Sequence, residues 1–341
     1  MSARHDAALD ALATVPHVQL AFFPTPVEEM PRLRAALGPS APRLLVKRDD
    51  AISFGFGGNK VRKAELVVSA ARAAGADTLL TVGGLQSNHC RVIAAAAAKS
   101  GMRAVLVVNG DRPERLTANT LLDDMLGAEI HFVPSRDDRA PAMRAIADRL
   151  RAEGRHPYEI PLGASTPGGA LAFARAVAEL VDQVPAPDFI VHASSSGGTQ
   201  AGLVAGCALL GLRTRVIGIS ADEPAAALAS LVTGLVVGIG GLLGVDGAAL
   251  ARDCRVEVND RFVGDGYGIP SAASMEAQQL AARTEALFLD HTYTAKAMAG
   301  LIGLAREGLF KPAHTVLFWH TGGQVGLFAQ EPAAGVAPPG K

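Results

Sequence analysis

Short runs of β-branched and leucine residues alternate along the chain with longer alanine-rich segments of helical periodicity. Short apolar runs are typical of buried strands, whereas longer amphipathic segments are typical of helices. This alternation predicts an α/β protein with parallel sheets flanked by helices. The predicted strands are Leu44–Lys47, Thr78–Val82, Ala104–Val108, Glu129–Val133, Phe189–His192, Val216–Ile219 and Thr315–Trp319. The predicted helices cover 87–100, 117–126, 139–152, 168–182, 199–210, 271–285 and 294–307.

The chain is longer than most single domains. Its 341 residues lead us to expect two lobes, with glycine-rich turns as the hinges between them. The smaller α/β lobe is expected at 54–164. The larger lobe would combine 1–53 with 165–330, and the Pro/Gly-rich segment 331–341 is expected to be a flexible tail.

Charge and cysteine content narrow the class of protein. A formal net charge of −1, with basic residues scattered along the chain, gives no basis for nucleic-acid binding. Cys90, Cys207 and Cys254 form neither a CxxC pair nor an even framework, which is typical of a reducing compartment. Charged residues precede any apolar stretch at the N-terminus, so no signal peptide is predicted. We therefore expect a cytoplasmic protein.

One segment, from Pro224 to Val245, carries no charged side chain and is rich in leucine, valine and alanine. Its length reaches that of a membrane-spanning helix. Glycines interrupt it repeatedly, basic flanks are lacking, and the surrounding pattern is that of a soluble α/β protein. We therefore expect a buried helix and loop, or a contact between subunits, and no membrane association.

Two glycine turns carry the most informative chemistry. Gly57–Lys63 reads GGNKVRK and presents Lys60, whose amine could approach a carbonyl compound closely and form a Schiff base. A position at a helix start would lower the pKa of this ammonium, although a surface lysine is the simpler alternative. Gly83–His89 reads GGLQSNH and places hydroxyl, amide and backbone N–H groups where they could hold a carboxylate. Together the turns predict an enzyme that joins an amino acid to an aldehyde cofactor.

A third turn, Ser194–Thr199, follows a predicted strand and opens a predicted helix. Its small residues leave backbone N–H groups unobstructed and add hydroxyl donors, which suits a phosphate dianion. It has neither the GKS or GKT ending of a Walker loop nor the GxGxxG pattern of a dinucleotide site. An ordinary capped turn is the alternative. In His320–Gly323, the Thr321 hydroxyl could face a heterocycle nitrogen or cap a helix.

Two tyrosines and one histidine complete the polar candidates. Tyr267 and Tyr293 lie beside turns in a chain with three tyrosines, although core packing is the more common role of a tyrosine. His89 has no second ligand at metal-binding spacing, so no metal site is predicted. No GxSxG motif surrounds Ser87, which argues against a serine hydrolase. Turns that follow parallel strands share one sheet edge, so we expect the candidate turns to lie together.

Further strings extend the pattern: TQAGL at 199–203, GYGIP at 266–270, YTAKAM at 293–298 and HTGG at 320–323. With the two glycine turns, in this order, they resemble the pyridoxal-phosphate family of 1-aminocyclopropane-1-carboxylate deaminase and D-cysteine desulfhydrase. The likeness spans about residues 20–328. It implies a two-lobed, tryptophan-synthase-β-like fold (pyridoxal-phosphate fold type II), assembled as a homodimer.

The resemblance assigns cofactor-binding roles position by position. Lys60 would bond covalently to pyridoxal 5'-phosphate and later remove the substrate's Cα proton. Lys63, one helical turn further, would reach the phosphate. The phosphate loop would comprise Ser195, Ser196, Gly197, Gly198 and Thr199.

The resemblance also places the substrate. Ser87, Asn88 and His89 would hold its carboxylate, and Asn88 would bond the cofactor's phenolic oxygen as well. Tyr293 would stack near the pyridine ring and join Lys60 and Ser87 in catalysis. Tyr267 would line the substrate side. Thr321 would hydrogen-bond the pyridine nitrogen, and a hydroxyl partner leaves the ring a weaker electron sink, which favours prompt elimination.

The implied activity is β-elimination from a small amino acid, with D-cysteine first, giving pyruvate, ammonia and sulfide. L-cysteate sulfo-lyase shares the Gln-Ser-Asn-His loop and releases sulfite instead, and the residues do not separate these two. The deaminase carries a glutamate after the motif's tyrosine, where this chain has Thr294, which argues against ring opening. A non-catalytic binding protein of the same fold would lack the lysine or the phosphate loop, and both are present.

Overall fold

The computed structural model describes residues 3–329 and contains two sheets flanked by helices. The predicted tail at 331–341 lies outside the described residues. The strands are β1 Val27–Glu29, β2 Arg43–Arg48, β3 Thr78–Gly84, β4 Arg103–Asn109, β5 Glu129–Val133, β6 Pro157–Ile160, β7 Phe189–Ser194, β8 Arg215–Ser220, β9 Val256–Asn259 and β10 Thr315–His320. The helices are α1 Ala3–Ala13, α2 Pro31–Leu37, α3 Lys60–Ala73, α4 Asn88–Ser100, α5 Ala118–Met125, α6 Arg139–Ala152, α7 Pro167–Gln183, α8 Gly198–Leu209, α9 Ala225–Leu242, α10 Gly247–Asp253, α11 Ala272–Glu285 and α12 Thr294–Arg306.

The larger sheet has six strands in the order β1-β2-β10-β7-β8-β9. All neighbours are parallel except the edge strand β1, which pairs antiparallel with β2. One apolar cluster joins one face of the sheet to α7, α8 and α9, and a second joins the other face to α11 and α12. Burial on both faces explains why β7 and β10 read as almost continuous apolar runs.

The smaller sheet has four parallel strands in the order β5-β4-β3-β6. Its strands all lie between residues 78 and 160. The Ala-rich helix α4 and helix α3 cover one face, and α6 covers the other. Parallel pairing brings the carboxyl ends of β3 and β4 to one edge, so the turn after β3 opens at that edge.

Local signals explain where the central helices begin and end. Ser87 caps α4 by accepting a hydrogen bond from the Cys90 N–H, and Gly101 ends the helix with a left-handed φ of 70°. Thr166 caps α7 in the same way, and Pro167 occupies its first turn, where a missing N–H costs nothing.

Three strands and several helices were not predicted from the pattern. The strands β1, β6 and β9 are three or four residues long and half-buried, so their apolar signal is too short to detect. The unpredicted helices are α1, α2 and α10, whereas only the start of α3 at Lys60 was predicted and α9 was expected as a buried helix and loop. The polar start of α3 and the repeated glycines of α9 mask their helical periodicity.

The charge-free segment forms the single long helix α9. Among residues 3–329, it is the one helix long and apolar enough to cross a membrane, and 33% of it is buried within the protein. A core helix of a soluble protein passes the same test. It packs on α7, α8, α10 and β9, so the expectation of a buried helix holds for one of its faces.

Candidate active site

The turn before α3 brings Lys60 to the centre of the molecule. Gly57 and Gly58 both adopt left-handed backbone angles, with φ of 70° and 97°. A Cβ added at Gly57 would lie 2.5 Å from the Asp50 carbonyl oxygen, so only glycine fits there. The Asn59 N–H donates to the Thr321 carbonyl oxygen at 3.0 Å. The lysine turn is therefore held against the turn that follows β10.

Lys60 is the first residue of α3, and it is partly exposed although protein atoms surround its amine. Burial lowers the pKa of this amine from 10.5 to about 8. Near neutral pH a useful fraction is therefore the free base, which is the form that attacks a carbonyl carbon. The sequence predicted this lowering from the helix dipole, but desolvation is its main cause.

The turn after β7 forms a cradle of backbone N–H groups at the start of α8. Gly197 has a left-handed φ of 75°, and α8 begins at Gly198, where the first-turn N–H groups have no helical partner. The Lys63 ammonium lies at the same point: a Cβ added at Gly198 would fall 2.6 Å from its Nζ. Backbone donors and an amine placed together in this way can hold an anion.

Polar side chains tie this cradle to the lysine turn. Asn59 precedes Lys60 in the chain, and its Nδ2 donates to the Thr199 hydroxyl at 3.0 Å. The Ser196 hydroxyl bonds to that of Ser165 at 2.7 Å. The Ser195 hydroxyl donates at 2.9 Å to Asp222, so it is the backbone of Ser195 that remains for an anion.

The cradle holds an amine that a bound anion would keep in its charged form. Lys63 Nζ donates to the Gly163 carbonyl oxygen at 3.1 Å and to the Ser165 hydroxyl at 3.4 Å, both neutral partners. Burial and the neighbouring Lys60 hold the pKa of Lys63 well below its usual value. Two buried amines that repel each other would be stabilised by a bound dianion, because it restores their charged forms.

A second helix start, that of α4, lies on the other side of the lysine turn. Ser87 Oγ accepts the Cys90 N–H at 3.2 Å, which leaves its own hydrogen free to donate. The backbone N–H groups of Asn88 and His89 belong to the first turn of the helix and face its N-terminal end. The arrangement can hold a carboxylate without a formal positive charge.

The ring of His89 is bonded to the neighbouring strand β3. It is 3% exposed, and its Nε2 bonds to the Thr81 hydroxyl at 2.8 Å. Burial, together with Lys60 and Lys63, holds the pKa of His89 well below its usual value. The ring's Nδ1 has no hydrogen-bond partner among the described residues, and the backbone N–H of His89 lies in the first turn of α4. The role of His89 in holding a carboxylate remains a prediction.

The two predicted tyrosines meet. Tyr267 and Tyr293 share a hydrogen bond between their hydroxyls, with ring centroids 5.7 Å apart in an edge-on arrangement. Burial and the adjacent phenol raise the pKa of Tyr293 well above its usual value, and burial raises that of Tyr267. Both phenols are therefore proton donors at neutral pH.

The tyrosine pair is connected to both sheets. The guanidinium of Arg136, which precedes α6, lies 4.6 Å from the centre of the Tyr267 ring. The same side chain is 3.4 Å from Asp222, the acceptor of the Ser195 hydroxyl. Arg136 follows a strand of the smaller sheet, and its guanidinium thus contacts loops that belong to the larger sheet.

Thr321 and Thr294 occupy different environments. Thr321 is 8% exposed at the end of β10, against the lysine turn. Thr294 Oγ1 donates at 2.7 Å to Asp290, whose carboxylate also accepts the N–H groups of Thr292, Tyr293 and Thr294. Thr294 is fully buried, and its hydroxyl is occupied by Asp290. Both carboxylate oxygens of Asp290 already accept two hydrogen bonds each.

Several polar residues of this region were not predicted. They are Asn59, Asn119, Asp123, Arg136, Ser165 and Asp222. Asn119 and Asp123 stand one turn apart on α5 and are buried. The buried face of a helix is normally apolar, so these two polar residues could have been recognised from the sequence as candidates for the site. Arg136 and Asp222 lie in loops and gave none. Across residues 3–329, no group of three or more His, Cys, Asp or Glu could hold a metal ion.

Comparison with known proteins gives consistent results. A family model described as pyridoxal-phosphate dependent enzyme matches residues 18–322. The D-cysteine desulfhydrases of Salmonella typhi and Salmonella newport (strain SL254) are each 37% identical over 334 residues, which covers 95% of this chain and 99% of each relative.

Solved structures agree with these sequence matches. A structure described as an ACC deaminase homologue has a TM-score of 0.87 at 35% identity and covers 95% of this chain and 97% of its own. Threonine deaminase isoform 2 of Solanum lycopersicum has a TM-score of 0.67 at 17% identity, covering 93% and 84%. The second similarity shows the fold alone.

Proposed function

The chain belongs to the family of pyridoxal-phosphate-dependent enzymes, and from that premise we propose that it is a lyase acting on D-cysteine. The reaction is β-elimination: D-cysteine and water give pyruvate, ammonia and hydrogen sulfide. The names of the 37% identical relatives support this substrate, because the similarity extends over 95% of the chain.

The hydrogen bond between Asn59 Nδ2 and Thr199 Oγ1, 3.0 Å long, carries the proposal. It joins the residue next to Lys60 to the start of α8, some 140 positions later in the chain. A reactive amine and an anion cradle must lie together for an aldehyde that bears a phosphate to bridge them. Had the two turns faced different sides of the molecule, this chemistry would have no site.

The residues of the cradle fit the cofactor. We propose that the backbone from Ser195 to Thr199 and the Lys63 ammonium hold its phosphate, and that Lys60 bonds to its aldehyde carbon. The glycine at 198 supports this, since a Cβ there would displace the Lys63 ammonium. When bound, pyridoxal phosphate supplies an electron sink that makes the substrate's Cα proton removable.

The remaining side chains orient the substrate and move protons. Ser87 and the first-turn N–H groups of α4 bind the carboxylate, which sets the direction of the Cα–H bond. Lys60 takes the Cα proton at its Nζ, because its amine is already a free base in part. Tyr293, with Tyr267, stays neutral and so can donate a proton to the departing sulfur.

Ring opening of 1-aminocyclopropane-1-carboxylate is disfavoured by the site. Thr294 takes the position of the deaminase's glutamate, and its hydroxyl is bonded to Asp290 inside the loop. We propose Thr321 as the partner of the pyridine nitrogen. Asp290, the nearby carboxylate, has its oxygens occupied by backbone and hydroxyl donors and is not free for that role.

L-cysteate is the competing substrate, and Arg136 is the observation in its favour. Its cation lies against the Tyr267 ring, where a sulfonate on Cβ would be attracted. The test is to supply D-cysteine, L-cysteine and L-cysteate to the purified protein and to measure sulfide, sulfite and pyruvate. We expect sulfide and pyruvate in equal amounts from D-cysteine; release of sulfite alone would transfer the assignment to the sulfo-lyase. A protein that binds pyridoxal phosphate and releases neither product would be a non-catalytic binder.

We further propose a cytoplasmic homodimer that buries the outer face of α9. Leu231 and Leu242 of this helix are 49% and 59% exposed, although the helix also has a fully buried apolar face. A helix that is apolar all round needs a partner on each side. Sedimentation velocity of the wild type and of Leu231→Lys should give a dimer and a monomer, respectively.

The division into lobes at 54–164 and at 1–53 with 165–330 remains our proposal for how the site is built. The two sheets separate along the chain in this way, and the anion cradle and the α4 start come from different sheets. Residues from both would then close around the substrate.

A further inference from the structure

Arg91 is a buried cation that connects the two turns of the site. It lies on α4 and is 1% exposed. Its Nη2 donates to the Gly57 carbonyl oxygen at 2.9 Å, at the start of the lysine turn. Its Nη1 donates to the Asn88 Oδ1 at 3.0 Å and to the Asn119 Oδ1 at 2.7 Å. One planar guanidinium thus contacts the segment before Lys60 and the start of α4 simultaneously.

Asn119 completes the arrangement from α5. Its Nδ2 donates to the Asn88 Oδ1 at 3.0 Å and to the Gln86 carbonyl oxygen at 2.9 Å. Its backbone N–H donates to the Gln86 Oε1 at 2.9 Å. The carboxamide oxygen of Asn88 therefore accepts two hydrogen bonds, one from Arg91 and one from Asn119, and both of its lone pairs are used.

These contacts determine which way the Asn88 amide faces. Arginine has only donors, so the atom of Asn88 that faces Arg91 must be the oxygen. Rotating the amide by half a turn would set N–H groups against both Arg91 and the donating amide of Asn119. The NH₂ group of Asn88 is consequently directed away from this cluster, and it keeps its two hydrogens for another acceptor.

We propose that Arg91 is a positioning residue that acts on the cofactor through Asn88. It keeps the Asn88 NH₂ group turned toward the cofactor's phenolic oxygen. The inference rests on the proposed function, because it needs pyridoxal phosphate beside Asn88.

Asp123 is a buried carboxyl group close enough to act on Arg91, but it does not hold the guanidinium by a hydrogen bond. It stands one helical turn after Asn119 on α5, is 1% exposed, and attracts Arg91 without a hydrogen bond among the described residues. Burial raises the pKa of Asp123 to about 7 and lowers that of Arg91 to about 10. A buried pair held this loosely is poor stabilisation. The guanidinium instead directs its Nη donors to Asn88, Asn119 and Gly57, as a positioning role requires.

The test compares Arg91→Gln and Asn119→Ala with the wild type. Each substitution is made in the protein that keeps Asn88 (the Asn88 background) and in the protein that carries Asn88→Ala (the Asn88→Ala background). Arg91→Gln removes the whole contact, whereas Asn119→Ala leaves Arg91 in place and removes one donor to Asn88. Two quantities are measured without substrate: the dissociation constant of pyridoxal phosphate and the pH titration of the bound cofactor's visible absorption. Arg103→Gln, which breaks an exposed ion pair with Glu129, is the matched control.

In the Asn88 background we expect both variants to weaken cofactor binding about tenfold, as for a lost hydrogen bond to a charged group, and to shift the absorption titration. In the Asn88→Ala background the absorption titration should be the same with and without Arg91, because the group through which Arg91 acts is missing. Arg103→Gln should change neither quantity.

Two results would overturn the inference. One is an unchanged absorption titration in both variants, even if they melt at a lower temperature, since this would mean a purely structural role. The other is an equal shift in both backgrounds. Failure of the proposed function is a different result: wild-type protein that binds no pyridoxal phosphate, or binds it and forms no product.

Discussion

The starts of α8 and α4 are the two anion sites that we propose, and they are built differently. At α8 the turn is made of glycine and serine, Gly197 is left-handed, and the Lys63 ammonium lies against Gly198. At α4 the turn is capped by the Ser87 side chain, and the guanidinium of Arg91 is bonded to the amide oxygen of Asn88. One site presents a charge directly to its ligand, and the other presents only dipoles.

The difference matches the ligand that we propose for each site. A dianion that stays bound through many turnovers is best held by a cation and several backbone donors in a buried cradle. A substrate carboxylate must enter and leave in every cycle, so a hydroxyl and helix N–H groups hold it firmly enough without a charged partner. Lys60 lies between the two and can reach ligands of both.

The largest loss of activity is expected for substitution of Lys60, because the ligands of both proposed sites react at its amine. Lys60→Ala should lower kcat by at least about four orders of magnitude, because it removes the amine that bonds the cofactor and moves the Cα proton. Phosphate binding at α8 should persist, since Lys63 and the cradle remain. Turnover assays, with inorganic phosphate binding by calorimetry, measure both. Substantial turnover by this variant would show that another amine does the chemistry.

A substitution at Lys63 should affect the proposed cofactor site without affecting the proposed substrate site. Lys63→Met should raise the dissociation constant of pyridoxal phosphate about a hundredfold, the loss expected for a buried charge-assisted contact. With saturating cofactor, the KM for D-cysteine should stay close to that of the wild type. Lys99→Met, at an exposed position of α4, is the control for the loss of one charge. Equal effects on cofactor affinity and on KM would mean that the two helix starts do not act separately.

The smallest effect is expected at Ser87, and it should fall on the substrate alone. Ser87→Ala should raise KM about fivefold through the lost hydroxyl contact and lower stability by about 1 kcal/mol through the lost cap. Asp246→Ala removes an exposed side-chain cap from α10, a helix with no residue in the proposed site. The control should lose the same stability with no change in KM. If both variants change KM equally, Ser87 acts only as a cap.

The motifs along the chain were sufficient to predict the family and the cofactor. The predicted α/β fold of type II and the use of pyridoxal phosphate are confirmed by the family match and by the similar solved structures. The roles of Lys60, Lys63, Ser87 and Tyr293 remain predictions. These parts were accessible because glycine turns after apolar strands leave a short, local signal.

The contacts between distant segments were not accessible. Nothing local in the sequence shows that the Ser195 hydroxyl is bonded to Asp222, or that the ring of His89 is turned to Thr81. The Arg91 cluster combines α4, α5 and the turn before α3, which only packing brings together.

The sequence alone thus determined which chemical groups this protein possesses and the order in which its strands and helices follow. Local propensities and glycine turns depend on neighbours in the chain, so they can be read from it. The tertiary structure alone decided which atoms of those groups are free to bind a ligand. A hydroxyl, an imidazole or an amide is committed or available according to what the fold packs against it, and those partners are distant in sequence.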